Sequence, residues 1–207
     1  MKYIDLERYP RRTHFDYFRR MDYPYVGMTA NVEVTNLVRR AKELGGSTFL
    51  ACLWAAARAA NAVPELRQRI VEDRLAEVEH CNTSHTVALP DHTFCNCRTD
   101  CRMSLEEFLV YGHEQQEKAK QNGGFGSSRE ERLSLIFVSC VPWVAFTQVI
   151  QPTPGGDDST PRIVFGKFIK EGEKIMMPLA IKCNHAIVDG YHIGRFYQIF
   201  QEIADSI

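Results

Sequence analysis

The chain has little net charge: 25 Lys and Arg stand against 26 Asp and Glu, a formal charge of -1 over 207 residues. Without a cationic excess or a basic block, nothing attracts a phosphate backbone or an anionic bilayer surface, so neither nucleic acid nor membrane is an expected partner. Long hydrophobic runs are missing too. The longest, FLACLWAAARAANAV, is too short to span a bilayer and contains Arg58, and the opening MKYIDLERYPRRTHF has no apolar signal core. The expected location is cytoplasmic. Cysteine spacings of the zinc type are also absent. Seven cysteines are an odd number in a chain too large to need disulfide staples, and the cluster CNCRTDC (Cys95, Cys97, Cys101), with only His92 nearby, matches no strong ligand template. Free thiols and no metal are expected.

What is present is an ordinary globular composition, 44% hydrophobic and 25% charged, sufficient for one core. Residues 1–207 are read as a single domain. GMTANVEVTN alternates apolar and polar side chains (Met28, Ala30, Val32, Val34), the period of a half-buried strand. A helix over 48–61 follows, with Ser47 as its N-cap and Pro64 as its stop. HCNTSHTVAL reads as a weak strand. Ser104 and Glu107 have capping-box spacing ahead of a helix that NGGFGSSREE breaks. RLSLIFVSCVPWVAFTQVI predicts one or two strands, with Pro142 at a bend or edge, and QPTPGGDDSTP is a turn or loop. RIVFGKF and IMMPLAIKCNH predict two strands joined by KEGEK. Ile193, Phe196, Phe200 and Ile203 then recur at three and four, one stripe of a closing helix. Strands and helices mix, so the fold class is α+β or mixed α/β.

The last strand ends on His185, with Asp189 four residues on and before a glycine. A polar residue at the end of a buried strand sits where a sheet opens to a cleft, and a neutral imidazole there can take a proton from a hydroxyl or thiol. The same residues also fit a hydrogen-bonded packing histidine followed by a tight Asp-Gly turn.

NHAIVDGYHIGRF carries a His-x-x-x-Asp-Gly signature, and with MPLAIKCN before it resembles the type A chloramphenicol acetyltransferase family of CoA-dependent acyltransferases. YPRRTHFDYFRRMDYPYVGMTANVEVT, NAVPELRQRI and FVSCVPWVAFT resemble further segments of that family, in order, from about residue 3 to residue 203. The resemblance implies a two-layer fold in which a large mixed β-sheet packs against helices. It implies transfer of an acetyl group from acetyl-CoA to a hydroxyl, most directly of chloramphenicol, with no metal and no acyl-enzyme.

By position it implies His185 as general base and Ser139 as donor to the oxyanion. Asp189 is implied to hold the site through an ion pair with Arg11, although Arg11 also reads as half of a basic surface pair with Arg12. Trp143 and Phe168 match positions lining the CoA tunnel, or are core aromatics; Lys167 is a candidate to serve a CoA phosphate, or is a lysine beside a turn. Phe18, Thr86, Phe94 and Phe125 correspond to the acceptor pocket. The family is a homotrimer with active sites between subunits. Departures from its pattern are Asn184 for a second histidine, Val164 for a threonine that holds an oxyanion-linked water, and Phe18 for a common tyrosine. An acyltransferase for another alcohol or a thiol, and a non-catalytic antibiotic binder, are the alternatives.

Overall fold

The computed structural model describes residues 1–207. In chain order the elements are β1 (Lys2–Ile4), α1 (Arg12–Phe18), β2 (Tyr25–Glu33), α2 (Thr35–Glu43), α3 (Thr48–Asn61), β3 (Gln68–Val71), β4 (Arg74–Glu77), β5 (Asn82–Ala88) and β6 (Phe94–Thr99). There follow α4 (Leu105–Asn122), α5 (Arg129–Arg132), β7 (Leu135–Val141), β8 (Arg162–Gly166), β9 (Ile169–Glu171), β10 (Lys174–Asn184) and α6 (Gly190–Asp205).

Local chemistry sets the ends of the helices. Ser47 accepts the Leu50 amide at the start of α3, and ten of its residues, mostly Ala and Leu, are buried, so this helix runs through the core. Ser104 and Glu107 close both halves of a capping box on α4, which ends at Gly123 in the left-handed region (φ +60). The stripe Ile193, Phe196 and Phe200 is the buried face of α6.

Seven strands form one sheet in the order β2-β10-β8-β7-β5-β6, with β9 on β10; β1, β4 and β3 form a separate small sheet. β7 runs parallel to β5 and β8 while the other pairs are antiparallel, so the sheet is mixed, and the α+β expectation holds. Side-chain alternation gives the sheet two characters. Met177, Leu179, Ile181 and Cys183 of β10, with Ile163, Phe165, Ile136 and Val138, join α2, α3, α4 and α6 in one core of 42 buried residues. The alternate set, including Ser139, Arg162, Val164 and Lys182, faces the other way. At the edge, Gly27 is required by close approach, since a Cβ there would meet the Ile181 carbonyl oxygen at 2.7 Å.

The stretch from 132 to 150 makes one strand, not two. β7 stops before Pro142, which has no N–H to donate, and no strand or helix forms again until β8. CNCRTDC is mostly strand: Cys95 and Cys97 face the helix side of β6 beside Val87 and Ala119, and Cys101 enters the main core. All seven cysteines are free thiols. No helix is long and apolar enough to cross a membrane.

Candidate active site

β10 delivers His185 to its position through Asn184. The buried Asn184 amide donates to the carbonyls of Gly156 (2.7 Å) and Asp158 (3.2 Å), and its Oδ1 accepts the Ala186 amide (3.0 Å). The His185 backbone amide donates to Pro24 O at 2.8 Å. Backbone is thus fixed on both sides of the ring. His185 Nδ1 lies 2.9 Å from Val188 O. A carbonyl oxygen only accepts, so Nδ1 carries the hydrogen and Nε2 keeps its lone pair. The Phe18 ring stacks on the imidazole with centroids 3.8 Å apart and planes 14° from parallel, leaving the Nε2 edge free. Both rings are half-buried.

Asp189 caps α6, accepting the Tyr191 amide at 3.0 Å, and forms an ion pair with Arg11. Burial opposes ionisation of the carboxyl, but the Arg11 hydrogen bond and the charges of His192 and Arg11 outweigh it and hold Asp189 below the usual carboxylate range. Because the folded value is depressed, the stabilisation is fully present above the unfolded value and is lost as pH falls through the folded one. Asn is as good an N-cap as Asp, so Asp189→Asn removes the charge and spares the cap. It is expected to destabilise the protein at pH 7 by about 2 kcal/mol, less than a fully buried pair because both side chains keep some exposure. Denaturant melts should show the gap between variant and wild type closing below about pH 4.

A second group of residues lies elsewhere. Thr86, Phe94, Phe125, Ser139 and Val164 line a cavity of about 690 Å³ on the outward face of the sheet. Ser139 Oγ is 3.2 Å from Thr86 Oγ1, and Phe94 and Phe125 meet edge to face at 5.4 Å. His185 does not line this cavity. In register, Ser139 pairs with Val164 and Val164 with Ala180, two strand spacings or about 10 Å; His185 lies five residues beyond Ala180, about 17 Å of rise. The two groups are therefore roughly 20 Å apart in one chain, beyond the reach of their side chains.

The third group surrounds a cavity of about 320 Å³ on the helix side of β7 and β8, lined by Lys167, Phe168, Phe49, Cys52, Cys140 and Met177 among others. Burial pushes the Cys52 thiol up to about 12 and Cys140 to about 11, so both stay protonated at neutral pH. Lys167 is exposed at the edge. Trp143 does not line the cavity: it is 77% exposed, between Pro142, which does line it, and Val144, whose carbonyl accepts the Lys167 amide at 2.9 Å.

The sequence model of the chloramphenicol acetyltransferase family matches residues 1–201. The chain belongs to the chloramphenicol acetyltransferase family. A chloramphenicol acetyltransferase of Clostridium perfringens is 30% identical over 207 residues, with 98% of each chain covered. Chloramphenicol acetyltransferase 3 of Escherichia coli is 25% identical over 208 residues, 98% of this chain and 96% of that one. A solved chloramphenicol acetyltransferase superposes with a TM-score of 0.89 at 26% identity, covering 97% of this chain and 98% of the other.

His192 and Asn184 also belong to the His185 end, although neither is marked as a site residue by its chemistry in the sequence. His192 Nδ1 accepts the Asp189 amide at 3.1 Å, completing the α6 capping box, and its Nε2 is 3.7 Å from Glu65 Oε1. Its spacing, three residues after a capping aspartate, was the available signal. Asn184 is the departure from the second histidine, and its three hydrogen bonds show what it does instead: it ties the 154–160 segment to the turn that bears His185.

Proposed function

We propose that the protein transfers an acetyl group from acetyl-CoA to a hydroxyl of a small acceptor, with chloramphenicol the first acceptor to test, and that residues 1–207 act as one acyltransferase domain. The observation that carries this reading is the imidazole of His185: Nδ1 is tied to Val188 O, one face is covered by Phe18, and the Nε2 lone pair is left for a proton. That ring sits in a chain whose family is named for this transfer.

In the proposed mechanism Nε2 removes the hydroxyl proton as the acceptor oxygen attacks the thioester carbonyl carbon. A C–O bond forms while the carbonyl π pair moves onto oxygen, where the Ser139 hydroxyl donates to it. The pair then returns, the C–S bond breaks, and the leaving sulfur takes the proton held by the imidazolium. The products are an acetyl ester and a free thiol.

The residues of the smaller cavity suit the co-substrate. Phe49, Phe168 and Met177 offer apolar walls for a thioester arm, Lys167 at the edge offers a cation for a phosphate, and the protonated thiols do not compete as nucleophiles. The separation of His185 from Ser139 within one chain supports a site completed by a second copy, with the base and Phe18 from one subunit and Ser139, Thr86, Phe94 and Phe125 from the next, in a homotrimer.

The test is acetyl-CoA with chloramphenicol and a thiol reagent: thiol release that depends on chloramphenicol is expected. A second reading, an acyltransferase of the same fold for another alcohol or a thiol, is favoured by Phe18 and Val164, neither of which brings a hydroxyl to the site. Release with other acceptors and none with chloramphenicol would select it. Tight chloramphenicol binding with no release would leave a non-catalytic binder.

A further inference from the structure

The outward face of the sheet is crossed by two rows of side chains two residues apart. One row is Asn96, Thr86, Ser139, Val164 and Ala180 on β6, β5, β7, β8 and β10; the other is Arg98, Ser84, Phe137, Arg162 and Lys182 on the same five strands. The first row holds the Thr86–Ser139 hydroxyl pair. The second carries three cations. Two residues of strand separate the rows by about 7 Å, the length of a substituted benzene ring.

Arg132, at the end of α5, adds a fourth cation at the cavity wall. Against these four stand three carboxylates: Glu131 on Arg98 at 2.7 Å, Asp158, which pairs with Arg162, and Glu130 beside Arg132 on α5. No Asp or Glu lines the cavity, whereas Arg132 and Arg162 both do. Each of these arginines uses only Nη1 within the protein: Arg132 donates to Ser127 O at 2.8 Å, and Arg162 to Asp158 and to Thr160 O at 3.0 Å. Their Nε and Nη2 groups have no protein acceptor. Ser84, 2% exposed on the same row, has a buried hydroxyl with no partner either. A pocket of phenylalanines at one rim and donors without acceptors at the far end is matched to a particular ligand shape.

We infer that the acceptor favoured by this cavity is an aryl alcohol bearing an anionic group, a carboxylate, at the end remote from the reacting hydroxyl, held by Arg132 and Arg162. The inference rests on the acetyltransferase reading of the cavity and narrows its substrate class. A carboxylate has the planar fork that two guanidinium edges complement, and it is isosteric with the nitro group of chloramphenicol, which carries no net charge.

The experiment compares chloramphenicol with its analogue in which carboxylate replaces the aromatic nitro group, using wild type, Arg132→Gln and Arg132→Lys, each checked for an unchanged melting temperature. Wild type is expected to favour the carboxylate in kcat/KM by about tenfold to a hundredfold, the worth of one charge-assisted hydrogen bond. Arg132→Gln should lower that preference by about tenfold or more and Arg132→Lys by less, with the effect in KM, and added salt should raise KM for the carboxylate alone. Turnover of chloramphenicol as good as that of the carboxylate, or a preference unchanged in Arg132→Gln, overturns the inference and leaves the acetyltransferase reading standing. If neither compound releases thiol, the acetyltransferase reading fails, and calorimetric binding of the two to wild type and Arg132→Gln still decides: weaker or equal binding of the carboxylate overturns the inference.

Discussion

His185→Ala is expected to lower kcat/KM for acetyl transfer by about 10³- to 10⁴-fold, the upper part of the range for a positioned general base. The loss should lie in kcat, because in the proposed mechanism the ring takes a proton only as the acceptor oxygen attacks, and ground-state binding of either substrate does not need it. Structure argues that the variant folds. The ring is half-buried, its single hydrogen bond is the Nδ1 contact with Val188 O, and its backbone amide keeps its bond to Pro24 O whatever the side chain. Loss of that bond and of the Phe18 stack costs about 1–3 kcal/mol, a fall of about 2–12 °C in Tm for a chain of this size. His185→Asn offers a donor for Val188 O and has no base, so it should melt closer to wild type and be equally inactive. Thiol release within tenfold of wild type from either variant removes His185 from the chemistry. The separation of the two halves adds a sharper check: subunits carrying His185→Ala and subunits carrying Ser139→Ala, each impaired alone, should when co-refolded show turnover well above either variant by itself, because some interfaces then hold both intact residues. Failure to complement while both variants form mixed oligomers would place the two residues in one chain's site.

Much of the scaffold could be read from local chemistry. The caps at Ser47 and Ser104, the apolar run ending at His185 and the stripe on α6 are each set by residues within a few positions of one another, and each is where the pattern puts it. The omissions are of two kinds. α2 and β6 carry local signals: Leu37, Val38 and Ala41 are buried at helical spacing, and Cys95 and Cys97 alternate with Asn96 and Arg98 as in a half-buried strand. Arg98, Ser84, Phe137, Arg162 and Lys182, by contrast, come from five strands that are neither consecutive nor all of one direction, and only the strand order β10-β8-β7-β5-β6 lines them up. Pairing at long sequence separation leaves no trace in a local window. The same holds for the site. The end-of-strand histidine announces itself, but that Ser139 lies roughly 20 Å from it along the sheet follows from register alone.

Ser139→Ala should cost about 10²- to 10³-fold in kcat, or about 3–4 kcal/mol of transition-state stabilisation. The expectation of so large an effect from one hydroxyl rests on the geometry. Ser139 Oγ has Thr86 Oγ1 at 3.2 Å as its side-chain partner, and its neighbour on the next strand, Val164, brings no hydroxyl. When Thr86 donates to Ser139, the serine hydrogen is free for an oxygen in the cavity, and the two hydroxyls polarise one another. Without a second donor on β8, the developing charge of the proposed mechanism would fall on this pair. Thr86→Val should therefore cost less, about threefold to tenfold, since it leaves the serine hydrogen in place and removes only the group that orients it. The double variant should be no slower than Ser139→Ala, because Thr86 acts through the serine and has nothing to orient once it is gone. Single-turnover measurements separate this from a binding defect: the substrate concentration for half-maximal rate should stay within about threefold of wild type while the rate at saturation falls. If the losses from Thr86→Val and Ser139→Ala simply multiply, the two hydroxyls act independently and the relay is wrong. If Ser139→Ala stays within threefold of wild type, the oxyanion is stabilised by some other donor.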